Sequence, residues 1–225
     1  DVVSPEAAET FGKSREECRV EYGYYLMAQN AGIRMTECRL LEENGRAHFM
    51  TRRFDRCRNE KIHVLSLACM GHFGWNPAGS AGYEDAFQTM RLLNLPYPDH
   101  EQQYRRMVFN ALTRNVDDHV KNISYMMAKD GIWKLTPAYD LSFSLNPIDL
   151  LGGRHKMTIN GKQNDLTFSD FQTVAENMEI NKADEIVAEI SDVVARWPEF
   201  AQQAGVKVDV MNYVGSQHLD LREAD

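Results

Sequence analysis

Asn115-Val116-Asp117-Asp118-His119-Val120-Lys121-Asn122 is the densest polar stretch of the chain, set between a predicted helix ending near Thr113 and a predicted strand starting at Ile123. Asp117 and Asn122 are five residues apart, and Asp140 follows within Thr136-Pro137-Ala138-Tyr139-Asp140-Leu141-Ser142. Between the two segments, Ile123–Met127 and Trp133–Leu135 are strand-like around a Lys129-Asp130-Gly131 turn. Phosphoryl transfer from a nucleotide needs such a set of groups. One carboxylate takes the proton of the attacking hydroxyl. An amide oxygen and a second carboxylate suit Mg²⁺, a hard ion that shares its shell with phosphate. The competing reading is a plain turn, because Asp and Asn bond their own backbone and tolerate left-handed conformations. The hairpin and the placement of Asp140 favour chemistry.

Working outward, the rest of the chain reads as a hairpin followed by helices. Ser14-Arg15-Glu16-Glu17 is a capping-box pattern, opening a helix to Asn30 with Gly32 just beyond. Residues 1–13 read as an irregular arm. Arg34–Glu43 and Arg46–Arg53 are strand-like and joined by Asn44-Gly45, a strong two-residue hairpin signal. From Lys61 the pattern turns helical, with helices expected over His63–Met70, Tyr83–Leu93 and Glu101–Thr113. Gly71–Gly82 reads as a loop, and His155–Ile159 as a weak strand ending at Asn160-Gly161. Helices are expected again over Ser169–Met178 (capped by Ser169), Lys182–Trp197 and Val208–Leu219. Strands and helices are segregated, so the fold class is α+β.

The 225 residues, 43% hydrophobic and 26% charged, suffice for a packed core. No window approaches 18 consecutive apolar residues, so no membrane span is expected. A net charge of −8 argues against direct grip on a nucleic-acid backbone. Cys18, Cys38, Cys57 and Cys69 form no C-x-x-C pair, so zinc and thioredoxin-type sites are disfavoured and reduced, buried thiols are expected. The chain starts at Asp1 rather than Met, which suggests preceding sequence.

In protein kinases the base Asp and the metal-binding Asn share one loop at this same five-residue spacing, and the second metal ligand follows a short hairpin. Asp118 would lie four residues from Asn122, the weaker match. Asp117-Asp118-His119-Val120-Lys121-Asn122 resembles the D-x-H-x-K-N segment of HipA-like serine/threonine kinases, the toxins of bacterial toxin–antitoxin pairs. Pro137-Ala138-Tyr139-Asp140-Leu141 is similar to that family's metal-binding segment, and Arg53-Phe54-Asp55-Arg56 to its hinge. The likeness runs from about residue 20 to residue 200.

The resemblance implies a mainly helical domain like a kinase C-lobe over residues 61–225, with residues 1–60 as the remnant of an N-lobe. It implies Asp117 as catalytic base, Asn122 and Asp140 as Mg²⁺ ligands, and His119 and Lys121 near the phosphates of ATP. The backbone around Arg52 and Phe54 would meet adenine, Asp55 the ribose, and Tyr139 the nucleotide. Read without the resemblance, Phe54 and Tyr139 suit a hydrophobic core and Asp55–Arg56 a surface ion pair. The family's phosphate-covering loop and strand lysine precede the first helix; only 13 residues do so here, and Lys13 is a poor substitute. The resemblance further implies a cytoplasmic enzyme, a protein substrate such as an aminoacyl-tRNA synthetase, and a small DNA-binding antitoxin as partner. Two rival functions are a non-catalytic, pseudokinase-like binding module engaging an antitoxin or other protein, and a metal-dependent phosphohydrolase. The latter would need more carboxylate or histidine ligands than the sequence offers.

Overall fold

The computed structural model describes residues 16–73, 78–145 and 153–221. The expected N-terminal arm, Lys13, the Ser14 cap and residues 222–225 lie outside those residues. Helix α1 spans Glu17–Asn30 and buries Val20, Tyr24, Met27 and Ala28 on one face, the i, i+4, i+7, i+8 pattern of an amphipathic helix. Its Gly23 is a packing device: a Cβ there would stand 2.9 Å from the Trp197 ring. Strands β1 (Cys38–Glu43) and β2 (Arg46–Thr51) pair antiparallel with Glu43 opposite Arg46. Asn44 and Gly45 both take positive φ, as the two-residue turn requires.

The next stretch differs from the expected helix over His63–Met70. Two-residue strands β3 (Arg56–Cys57) and β4 (Glu60–Lys61) form a miniature hairpin. Strand β5 (His63–Ser66) then pairs with β6 (Ser124–Met127), which pairs in turn with β7 (Trp133–Leu135). Only α2 (Leu67–Met70) is helical. β5 is a strand because its partner, some sixty residues away, supplies a ladder that no local pattern reveals.

Helices α3 (Tyr83–Leu92) and α4 (Tyr97–Leu112) follow. α4 begins a turn earlier than the sequence suggests, because Pro98 is tolerated in a first helical turn. The inward face of α4 carries Asp99, Gln103, Arg106 and Asn110 at i, i+4, i+7 and i+11, all buried. Buried polar groups persist only with partners. The Asp99 carboxylate takes Arg34 and, at 3.0 Å, the Leu135 N–H; Arg106 donates to the Thr136 carbonyl at 2.5 Å. The stripe therefore clamps strand β7 to the helix.

The expected strand over His155–Ile159 is present only as isolated bridges, Thr158 to Gly82 and Ile159 to Lys162. Helix α5 spans Phe168–Met178 and is capped by Thr167 rather than Ser169; the Thr167 N–H donates to Asp170 at 2.9 Å. The helix expected over Lys182–Trp197 is α6 (Ala183–Ala195), and a further helix not expected from the sequence, α7 (Trp197–Gln203), follows it. Pro198 sits in the first turn of α7, where its ring starts a helix more readily than it continues one. α8 spans Val208–Gln217. The Leu219 N–H donates to the Leu112 carbonyl at 2.9 Å, bringing the end of the described chain against the end of α4. One hydrophobic cluster runs from Val20 to Val214, with Trp197, Tyr104, Phe109 and Phe171 among its buried members.

All four cysteines are free thiols, but only Cys38 is buried; Cys57 and Cys69 are exposed. Among the described residues no helix is long and apolar enough to cross a membrane.

Candidate active site

The loop from α4 to β6 separates its two adjacent aspartates by environment. Asp117 faces solvent, its side chain 56% exposed. Asp118 is buried, and its carboxylate is fully engaged. Oδ2 accepts from the Tyr83 hydroxyl at 2.9 Å and meets His155 Nδ1 at 2.9 Å, while Oδ1 accepts the Lys156 N–H at 2.9 Å. A carboxylate caged this way fastens the 153–163 segment to the loop and has no lone pair aimed at solvent.

The backbone of the loop is closed by local bonds. The His119 N–H donates to the Asp117 carbonyl at 2.9 Å, and the Asn122 N–H to the His119 carbonyl at 2.8 Å. The Asn122 side-chain Nδ2 also donates to the Asp117 carbonyl, at 3.2 Å. Because the amide nitrogen is fixed inward, the Asn122 oxygen is left for a ligand. A second run of bonds supports the loop from below. The Asp117 N–H donates to Ser144 Oγ (2.9 Å), which donates to Asn115 Oδ1 (3.2 Å). Asn115 donates to Asn110 (3.0 Å), and Asn110 to the Tyr83 hydroxyl (2.9 Å), which returns to Asp118.

Asp140 is exposed and takes a left-handed φ of 58°. Asp140, Asn122 and His119 line one small cavity, so the segments 18 residues apart are brought together. Among the described residues no group of three or more His, Cys, Asp or Glu could hold a metal. One carboxylate and one amide oxygen fit Mg²⁺ that completes its shell with water and phosphate, not a metal held by protein alone. Partial desolvation pushes the Asp117 carboxyl up; His119 and Lys156 pull it back, while Asp140 and Asp118 add to the rise. His119 Nε2 lies 4.0 Å from Asp117 Oδ2. Lys121 is exposed, and its carbonyl accepts from the Tyr139 hydroxyl at 2.6 Å.

The hinge segment reaches this site through one ring contact: Phe54 and Tyr139 have centroids 5.7 Å apart. Tyr139 thus packs on the hinge and bonds the loop at once. The hinge backbone is less free than the end of a strand suggests. The Arg52 N–H donates to the Glu37 carbonyl at 2.9 Å, and the Asp55 carbonyl accepts the Ile62 N–H at 3.0 Å. The Asp55 carboxylate is held by Arg53 at 2.6 and 2.8 Å and by Arg56 at 2.5 Å, and the Arg53 hydrogen bonds hold its carboxyl below the usual range. The surface ion pair expected from the residues alone is therefore present.

Four residues of the site are silent in the sequence. Tyr83 and His155 look like ordinary helix and loop residues until Asp118 joins them. Lys156 is placed by its backbone, bonded to the Val116 carbonyl at 3.0 Å. Glu21, on α1, is pushed up to about 7 by burial, then by Asp140 and Glu17, which puts it electrostatically within reach of the Asp140 carboxylate. Its position four residues into an acidic helix gave no sign of this.

The architecture has solved counterparts. A HipA chain from Shewanella oneidensis MR-1, solved in a toxin–antitoxin complex of HipA, HipB and operator DNA, superposes with a TM-score of 0.68 at 15% identity, over 91% of this chain and 55% of that one. The chain thus spans about half the length of that relative. The Helicobacter pylori proinflammatory kinase CtkA superposes with a TM-score of 0.54 at 11% identity, over 92% of this chain and 86% of that one. A search of curated proteins finds no match. The family model of the HipA-like C-terminal domain matches residues 4–197. With a kinase-like fold and a match over most of its length, this chain belongs to the HipA-like C-terminal domain family.

Proposed function

We propose that this chain is the catalytic part of a HipA-like, ATP-dependent serine/threonine kinase, the toxin of a toxin–antitoxin pair. The observation that carries the reading is the convergence of Asn122 and Asp140 on one cavity rim, beside a solvent-facing Asp117. Asp117 accepts the proton of a Ser or Thr hydroxyl as that hydroxyl oxygen bonds the γ-phosphorus and the bond to the β,γ-bridging oxygen breaks, releasing ADP; the buried and engaged Asp118 cannot. The raised pKa of Asp117 suits a general base. Asn122 and Asp140 hold Mg²⁺, which when bound neutralises charge on the phosphate oxygens. His119 and Lys121 stand near the phosphates. Phe54 and Tyr139 form the apolar wall against adenine, with the hinge backbone near Arg52 at its edge and Asp55 toward the ribose. In protein kinases a strand lysine pairs both the phosphates and a helix glutamate; Glu21 offers that carboxylate here.

Membership of the family also supports a cytoplasmic enzyme with a small DNA-binding antitoxin as partner and a protein substrate such as an aminoacyl-tRNA synthetase. The acidic chain leaves DNA contact to that partner. A non-catalytic binding module is the second reading. It is favoured by the commitment of the Asp55 carboxylate to two arginines and of the Arg52 N–H to Glu37.

The test uses the full-length gene product. ATP–Mg²⁺ binding and autophosphorylation are expected, and both Asp117→Ala and Asp140→Ala should abolish transfer. ATP binding without transfer would support the binding module; neither binding nor transfer would exclude the kinase.

A further inference from the structure

Gln103 is the exception on the polar stripe of α4. It is 0% exposed, and neither its Oε1 nor its Nε2 has a hydrogen-bond partner. Two more buried, unpartnered nitrogens are nearby: Arg106 Nε and His119 Nδ1. Gln103, Arg106 and His119 line the same small cavity, between α4 and the loop that carries Asp117. Its volume is about 20 Å³, and a cavity accommodates one water once about 10–15 Å³ is open.

We propose that this cavity is a binding site for a single water that joins Gln103 and Arg106 to His119. The donor and acceptor inventory sets its orientation. A guanidinium Nε–H can only donate, so the water accepts from Arg106. Both water hydrogens are then available, one for Gln103 Oε1 and one for His119 Nδ1. Asn122 and exposed Asp140 stand on the rim of the same cavity, whereas at its buried end, walled by Gln103 and Arg106, a cation is disfavoured by the guanidinium. An anion is disfavoured by the two acceptor atoms. A dry cavity would leave the Gln103 amide, Arg106 Nε and His119 Nδ1 without partners, which buried polar groups rarely tolerate.

The arrangement has a consequence for His119. With Nδ1 accepting, the ring proton of the neutral imidazole is on Nε2, the nitrogen that lies 4.0 Å from Asp117 Oδ2. Gln103 is thus a positioning residue, acting on the loop through the water and the His119 ring. This holds whether or not the chain transfers phosphate, so its test is independent of the kinase reading.

The experiment pairs a high-resolution crystal structure of this chain with ¹⁵N NMR of the His119 ring at a pH where the ring is neutral. A density peak within hydrogen-bond reach of at least two of the three atoms is expected, together with one dominant tautomer carrying the proton on Nε2. In Gln103→Met, an apolar side chain of similar size, the peak should vanish and His119 should relax toward a mixture of tautomers. An empty cavity, an ion in place of water, a proton on Nδ1, or an unchanged tautomer in the variant would each overturn the proposal. If Gln103→Met does not fold, the density and the tautomer of the unmodified chain decide the matter alone.

Discussion

Asp118 and His155, 37 residues apart in sequence, meet at 2.9 Å with both side chains 1% exposed. This pair, together with the Lys156 N–H, anchors the 153–163 segment beneath the loop whose neighbouring Asp117 faces water. Adjacent residues of the same type are thus divided between structure and chemistry.

That division predicts opposite outcomes for two alanine substitutions. Asp118→Ala leaves Tyr83 and His155 without their acceptor, with the Lys156 N–H keeping only the Val116 carbonyl, and should cost about 3–5 kcal/mol, as removing one partner of a buried pair does. Asp117→Ala removes an exposed side chain and should stay within about 0.5 kcal/mol of the parent. Urea unfolding of the two variants checks this; equal losses would contradict the assignment.

Phosphotransfer by the full-length protein should fall about 10²–10⁴-fold in Asp117→Asn, the range for loss of a general base. Asp117 works deprotonated and partial desolvation raises its pKa, so the rate should fall on the acid side at a pH above the ordinary aspartate range. The Lys156 charge pulls that pKa down, so Lys156→Ala should move the acid limb to higher pH. A pH–rate profile of both proteins reads the shift.

Glu21 should titrate near pH 7, and Asp140→Asn should lower its pKa by removing a like charge that raises it. Carboxyl ¹³C NMR measures this directly. An unmoved Glu21 would show that α1 does not approach the Asp140 segment as described.

His218 is held down to about 3 by burial. The Tyr24 hydroxyl gives its one proton to the Thr113 carbonyl at 2.5 Å, so at 3.1 Å it accepts from His218 Nε2–H. Above about pH 6.5 the ring is neutral in folded and unfolded chains alike and costs nothing. Below that, the unfolded chain binds a proton that the folded chain refuses, and stability should fall by roughly 1.4 kcal/mol per pH unit toward pH 3. His218→Asn should flatten this acid limb in unfolding curves taken at pH 7 and pH 5.

What the sequence made legible was local. The Asn44-Gly45 turn, the Asp117-to-Asn122 spacing and the β6–β7 hairpin each depend on neighbours a few residues away, and each is where it was expected. Elements whose partners are distant were hidden. β5 reads as helix because β6 is the neighbour that makes it a strand. α4 was entered late because its Tyr97-Pro98 start reads as a loop. α7 goes unread because Pro198 looks like the end of a helix, whereas it sits in the first turn of a new one. The site followed the same rule. Asp117 and Asp118 differ only in burial, which spacing does not report, and His155, Lys156 and Glu21 join the site only through tertiary contact.

The polar inner face of α4 has a consequence for how narrowly the chain is defined. An apolar row of Leu and Val could settle against its neighbours in several rotational settings of nearly equal energy. Asp99 and Arg106, bonded to the backbone of Leu135 and Thr136, admit one. Successive residues are rotated by about 100° around an α-helix, so a slip of one position would carry Asp99, Arg106 and Asn110 away from their partners together. The helix is thereby keyed, and the loop that leaves its end inherits a single orientation for Asp117.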